Sequence, residues 1–83
     1  MSLVSILENF HEEEITIANG FDEAVIGIDM SSMRLIYSVS KVIDILIEED
    51  GMDEQDALDW YEYNMQSTWV GDTTPIWCED RII

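Results

Sequence analysis

Basic residues are almost missing from this chain. Arg34, Lys41 and Arg81 stand against nineteen carboxylates, giving a net charge of −16 over 83 residues. Nucleic-acid phosphates and anionic lipid surfaces are bound through Lys and Arg, so direct contact with nucleic acid or with a membrane surface is not expected. Cys78 is the only cysteine, which excludes an internal disulfide. With His11 as the only histidine, no closed structural zinc site is expected either. Pro75 is the only proline, and there are four glycines, so the chain is not built from linkers or low-complexity segments. No apolar run approaches the roughly eighteen residues of a spanning helix. The start, MSLVSILENFHEEE, lacks the basic residues and small-residue cleavage site of a signal peptide.

What is present is a core. The apolar fraction is 47%, ample for one compact domain over residues 1–83. So much charge of one sign makes a compact chain repel itself. The fold must therefore spread that charge outward, leave it to screening ions, or meet it with a basic partner.

Leu3, Ile6, Leu7 and Phe10 mark one stripe of a short helix, with Ser2 as cap, ending near Phe10 or His11. Residues 14–18, EITIA, read as a short strand with Ile15 and Ile17 on one face. Asn19-Gly20 is a turn signal. In residues 23–30, Ala24, Ile26, Ile28 and Met30 alternate with Val25, Gly27 and Asp29, predicting a strand that buries the first set. RLIYS at 34–38 returns as its hairpin partner. From Val39 the period becomes helical, through Val42, Ile43, Leu46 and Ile47, to a C-terminal glycine at Gly51. Asp53 caps the next helix, whose stripe is Ala57, Leu58, Tyr61 and Met65. Gly71 is expected to end the helical region, after a frayed turn at Ser67-Thr68. Pro75 then forces an extended exit into a last, edge strand over residues 76–83. The order α-β-β-β-α-α-β predicts an α+β fold: a small, mainly antiparallel sheet of three or four strands with two or three helices on one face.

Few residues carry recognisable chemistry. Aligning Gly51 on the glycine of a calcium loop puts Leu46 and Ala57 where oxygen ligands belong, so that site fails. Cys78 and His11 can be imagined as a thiol–imidazole pair, but a small apolar strand residue and a polar helix end describe them as well. No phosphate-cradling or nucleophile-elbow motif is present. Neither an enzyme nor a cofactor or metal site is expected.

The candidate site is a surface. Between Asp44 and Glu62 lie nine carboxylates and no basic residue. Asp44 and Glu48 are one helical turn apart, and so are Asp59 and Glu62. A four-residue step rises about 6 Å, comparable to a small multiple of the roughly 3.4 Å phosphate repeat along one nucleic-acid strand. Such a face can imitate a phosphate backbone and occupy the basic groove of a nucleic-acid-binding protein. It can also be a solvated surface that only keeps the chain dispersed. Trp60 and Tyr63 flank the apolar stripe of their helix, and at least one of them should be partly exposed, as a contact residue. Trp69 and Trp77 are expected to cover the end of the sheet. The partner-facing candidates are therefore Asp44, Glu48, Glu49, Asp50, Asp53, Glu54, Asp59, Trp60, Glu62 and Tyr63. The expected partner is a basic protein. The alternative is a structural or assembly module that forms a homodimer through a sheet edge or through Trp60 and Tyr63.

Two segments carry a resemblance: GFDEAVIGID at 20–29 and ALDWYEYNMQSTWVGDTTPIW at 57–77. Together they resemble a group of small tailed-bacteriophage proteins that pair a GFD-x-A segment, closed by a glycine, with an ALEYFEFN…GAYVGE-x-TPIF-like segment. The matching residues are Gly20, Phe21, Asp22, Ala24 and Gly27, then Ala57, Tyr61, Glu62, Tyr63, Asn64, Trp69, Gly71, Thr74, Pro75 and Trp77. The sequence departs at Gln66-Ser67-Thr68, where small residues are usual. The resemblance implies a phage-encoded protein acting in the cytoplasm of a bacterial host, and it supplies no catalytic or cofactor residues. Asn64, Gly71, Thr74 and Pro75 read as turn-forming residues.

Melting temperature should rise with added monovalent salt and on mild acidification toward about pH 5, because both relieve carboxylate repulsion. A thermal melt series across salt and pH checks this. A melting temperature indifferent to salt would mean that the charges are already paired or far apart.

Overall fold

The computed structural model describes residues 2–81. The α+β architecture is as expected: three α-helices and a three-stranded sheet of order β1-β2-β3. Helix α1, Leu3–Asn9, is capped by Ser2, whose side chain accepts the Ser5 N–H. It buries Leu3 and Ile6. A 3-10 turn, Asp22–Ala24, leads into β1, Val25–Asp29, which pairs antiparallel with β2, Arg34–Ser38. At the hairpin turn Asp29 accepts from the Ser32 N–H and from the Ser31 and Ser32 hydroxyls. These hydrogen bonds hold its carboxyl below the usual range, Ser32 contributing most.

Strand β1 faces differently from its alternation. Val25 sits opposite Tyr37, but Gly27 sits opposite Ile36, so Ile26 is the extra residue of a β-bulge. The bulge reverses the alternation of facing. Val25 and Ile28, of opposite parity in sequence, both turn to the core side with Tyr37 and Leu35. Ile26 and Met30, expected inside, are exposed.

Ser38 ends β2 and caps helix α2, Val39–Asp50, which buries Val39, Val42, Ile43 and Leu46. Gly51 closes α2 in the left-handed conformation at φ 69°, which glycine adopts without a Cβ clash. Asp53 caps helix α3, Glu54–Tyr61. The helical winding stops at Gln66, just before the Ser67-Thr68 stretch where fraying was expected. It passes at Glu62–Gln66 into a π-helical turn, a rare wider winding that displaces the i−4 carbonyl bonds. Polar side chains take over: Asn64 Nδ2 donates to the Trp60 carbonyl, Ser67 Oγ to Tyr63 and Thr68 Oγ1 to Asn64. The Gln66-Ser67-Thr68 departure thus supplies two of the three groups that satisfy this turn.

The loop that follows is closed by buried Thr74. Its hydroxyl donates to the Gly71 carbonyl and accepts the Val70 N–H. Gly71 itself sits at φ 110°. Buried Pro75 then starts β3, Ile76–Cys78, on the edge of the sheet. Strand β3 is shorter than expected, and residues 82 and 83 of that expectation lie outside the described residues. It pairs parallel to β2, so the sheet is mixed. The cause is connectivity: β2 runs directly into α2, and the chain returns only after α3, a helical crossover of the kind that joins parallel strands.

The strand expected at residues 14–18 does not form. The segment has no helix, turn or bend and joins no sheet. Ile15, Ile17 and Ala18 still pack against the core. Alternation reports that side chains are buried on one face. It does not provide a neighbouring backbone to pair with. Side chains anchor the segment instead: the Ala18 N–H donates to the Tyr37 hydroxyl at 2.9 Å, and Thr16 and Thr73 hydroxyls meet at 2.5 Å.

The tail is tied back by Asp80. It accepts from the Ser38 hydroxyl and from the Ser40 N–H at 2.9 Å, a carboxylate placed at the N-terminus of α2 where the helix dipole favours it. Those bonds, the Ser38 hydroxyl first, hold its carboxyl below the ordinary value. A depressed native value means that the stabilisation is complete above the unfolded value near pH 4 and is lost as pH falls through the native one. Asp80→Asn should cost about 1 kcal/mol at neutral pH, roughly 4–8 °C in melting temperature. The gap to the wild type should close in acid as the Asp80 carboxyl takes up its proton, read by melts of both chains across pH.

Candidate functional site: an acidic helical corner beside an exposed aromatic turn

The eight acidic candidates Asp44, Glu48, Glu49, Asp50, Asp53, Glu54, Asp59 and Glu62 are all exposed, as is Asp56 between them. They follow from helical phase. Val42, Ile43, Leu46, Ala57 and Tyr61 take the buried positions, so the carboxylates are left on the solvent side of α2 and α3. Asp53 uses one oxygen to cap α3, accepting the Asp56 N–H at 2.8 Å, and Asp59 accepts the Gln55 amide. The other seven have no side-chain hydrogen bond or ion pair among the described residues.

The bases are used elsewhere. Arg81 pairs with Glu79, and that hydrogen-bonded guanidinium pulls the Glu79 carboxyl down to about 2. Arg34 donates through Nε to the Thr74 carbonyl and lies 5.9 Å from the centre of the Trp69 ring. Lys41 is exposed and makes no ion pair among the described residues.

The ends of the two helices are unequal. Glu48, Glu49 and Asp50 occupy the last turn of α2, which contains no basic residue. There the dipole is negative and favours cations. Glu54 and Asp56 occupy the first turn of α3, where the dipole favours them. The α2 end therefore concentrates negative potential at a cost to stability, and the α3 start offsets only part of it.

The aromatics divide in an unexpected way. Trp60 is half-buried against Phe21, ring centres 6.1 Å apart. Tyr63 is 82% exposed on the π-helical turn. Trp77 covers the sheet as expected, packed between Tyr37 at 5.2 Å and Tyr61 at 5.9 Å. Burial in this cluster pushes the Tyr61 hydroxyl up to about 12. Trp69 does not cover the sheet end: it is 67% exposed, and Val70 beside it is 57% exposed. The wider π winding and the closed 70–74 loop turn them outward. No 3.6-residue pattern carries that information. The one sequence signal was their position after the last stripe residue, Met65.

Two lesser features complete the surface. A cleft of about 180 Å³ lies between Thr16, Ile17 and Ala18 on one wall and Asn64, Val70 and Trp77 on the other. His11 contacts the Glu8 carbonyl through Nδ1, and Cys78 stands in β3 opposite Ser38. No helix is long and apolar enough to cross a membrane among the described residues. The chain matches no protein-family model, no curated protein and no solved structure.

Because Tyr63 stands in solvent, Tyr63→Ala should shift stability by no more than about 0.5 kcal/mol; Trp69→Ala, which also loses the Arg34 contact, should cost about 0.5–1 kcal/mol. Trp60→Ala, which uncovers Phe21, should cost about 1–3 kcal/mol. Urea unfolding of the three variants checks the division.

Proposed function

We propose that this chain is a small acidic interaction protein, phage-encoded in keeping with its resemblance, whose α2–α3 carboxylates engage a basic protein partner. Occupying that partner's nucleic-acid site is the mode of action that the charge supports best. One observation carries the reading: Glu48, Glu49 and Asp50 crowd the C-terminal turn of α2, which holds no base, and form no ion pair among the described residues. A charge pattern selected only to keep a protein dispersed has no reason to collect where it opposes the helix dipole. Local rules are broken in this way where a surface serves something other than folding. The two arginines are held at Thr74 and Glu79, and Lys41, at the opposite end of α2, is the one base on these two helices, so a partner meets a strongly negative corner. Association should be fast and strongly salt-dependent.

The test uses a trade-off. The triple variant Glu48→Gln, Glu49→Gln, Asp50→Asn removes charge that α2 does not want, so it should melt higher than the parent, by about 0.3–1 kcal/mol per charge. In capture from bacterial lysate followed by mass spectrometry, the parent should retain nucleic-acid-binding proteins at low salt and release them at high salt or with competing duplex DNA. The triple variant should retain few of them. Retained proteins without nucleic-acid sites, retention that ignores salt, or an unchanged set on the triple variant would defeat the proposal.

A further inference from the structure

The segment at residues 14–18 has the composition of a strand but joins no sheet. Its sequence, EITIA, has β-branched residues at Ile15, Thr16 and Ile17, the composition that suits a pleated, half-buried surface. Ala18 gives its N–H to the Tyr37 hydroxyl and its carbonyl to the Phe21 N–H. Among the described residues, the backbone N–H and carbonyl groups of Ile15, Thr16 and Ile17 have no hydrogen-bond partner. All three are only partly buried. Unpaired backbone in a segment of strand-forming composition is a template for pairing with a further strand.

The surroundings specify the occupant. Thr16, Ile17 and Ala18 form one wall of the 180 Å³ cleft, whose other wall includes Met65, Val70, Pro75 and Trp77. An apolar cavity of about 150 Å³ holds a benzene-sized group, so the cleft has room for one large apolar side chain. Glu12, Glu13 and Glu14, all exposed, lead directly into the segment. A strand laid along it meets three carboxylates at one end, which favours Lys or Arg there. A second copy of this chain brings another −16 to the same place and is disfavoured.

We infer that residues 15–17 are a strand-addition site for an extended peptide segment of another protein, one that carries a single large apolar anchor beside flanking Lys or Arg. Main-chain bonds would supply affinity, and the cleft would read the anchor. This site is separate from the α2–α3 carboxylates.

A synthetic probe tests it: a short peptide alternating Val and Thr around one central Leu, with Lys at both ends. In the free protein the Ile15, Thr16 and Ile17 amides should exchange quickly with solvent, and saturating probe should slow at least one of them. Successive strand residues turn their backbone groups to opposite edges. N-methylating one alternate set of peptide amides should therefore abolish binding, while methylating the other set should be tolerated. Val70→Trp, which crowds the cleft from an exposed position, should weaken binding roughly tenfold or more. Exchanging the terminal Lys residues for Glu should do the same at low salt. The Glu48→Gln, Glu49→Gln, Asp50→Asn variant should bind the probe like the parent, so failure of one site is distinguishable from failure of the other. The inference is overturned by no amide slowing up to about 1 mM probe, or by both methylated peptides binding like the unmodified one. It is equally overturned if sedimentation shows a dimer in which these amides are protected without peptide.

Discussion

Trp77 is the side chain that the rest of this fold depends on. Its ring lies between Tyr37 of β2 and Tyr61 of α3, at 5.2 and 5.9 Å. Strand β3 is only three residues long, too short for backbone pairing alone to hold the tail of the chain. Aromatic contacts at these separations add about 0.5–1.5 kcal/mol each beyond the area they bury. The same cluster sets the path of the first half. Tyr37 is fully buried, and its hydroxyl receives the Ala18 N–H, so the position of residues 14–18 follows from a tyrosine that is itself packed on Trp77.

Around that cluster the chain spends its two arginines on structure. Arg34 fixes the Thr74 carbonyl and lies over Trp69, and Arg81 is held by Glu79. Buried polar atoms are satisfied as well: no buried side-chain nitrogen or oxygen lacks a partner among the described residues. The interior is thus settled, and the conflict in the molecule lies on its surface, at the carboxylates of the α2 end. Surface repulsion of this kind is long-ranged and screened by salt, whereas the core contacts are short-ranged. The fold can carry the charge because the two act at different distances from the centre.

The π-helical turn links the two halves of the surface. A helix that continued in regular phase from Tyr61 would keep presenting the stripe that ends at Met65. The wider winding at Glu62–Gln66 releases carbonyls that Asn64, Ser67 and Thr68 recover. The chain beyond it leaves the core, exposing Trp69 and Val70 before Thr74 closes the loop. Tyr63, Trp69 and Val70 therefore stand outward within eight residues of sequence, adjoining the last acids of α3.

The sequence by itself determined the helices, their caps and the placement of charge. Ser2, Ser38 and Asp53 do as caps what their side chains allow, Gly51 takes the left-handed position, and the 3.6-residue stripes predict which residues of α1, α2 and α3 are buried. All are local consequences of residue type and spacing, and so is the exposure of the acidic candidates. Tertiary structure decided what depends on a neighbour. Ile26 faces out because Val25 and Ile28 must both meet the β2 residues opposite them. Residues 14–18 stay unpaired because, among the described residues, no strand pairs with them, although their alternation is that of a strand. Strand β3 is parallel because two helices intervene before it, and Asp80 finds Ser38 across forty-two positions of sequence. Periodicity records which side of an element is apolar. Which backbone, ring or carboxylate arrives on the other side is fixed only when the distant parts of the chain are packed together.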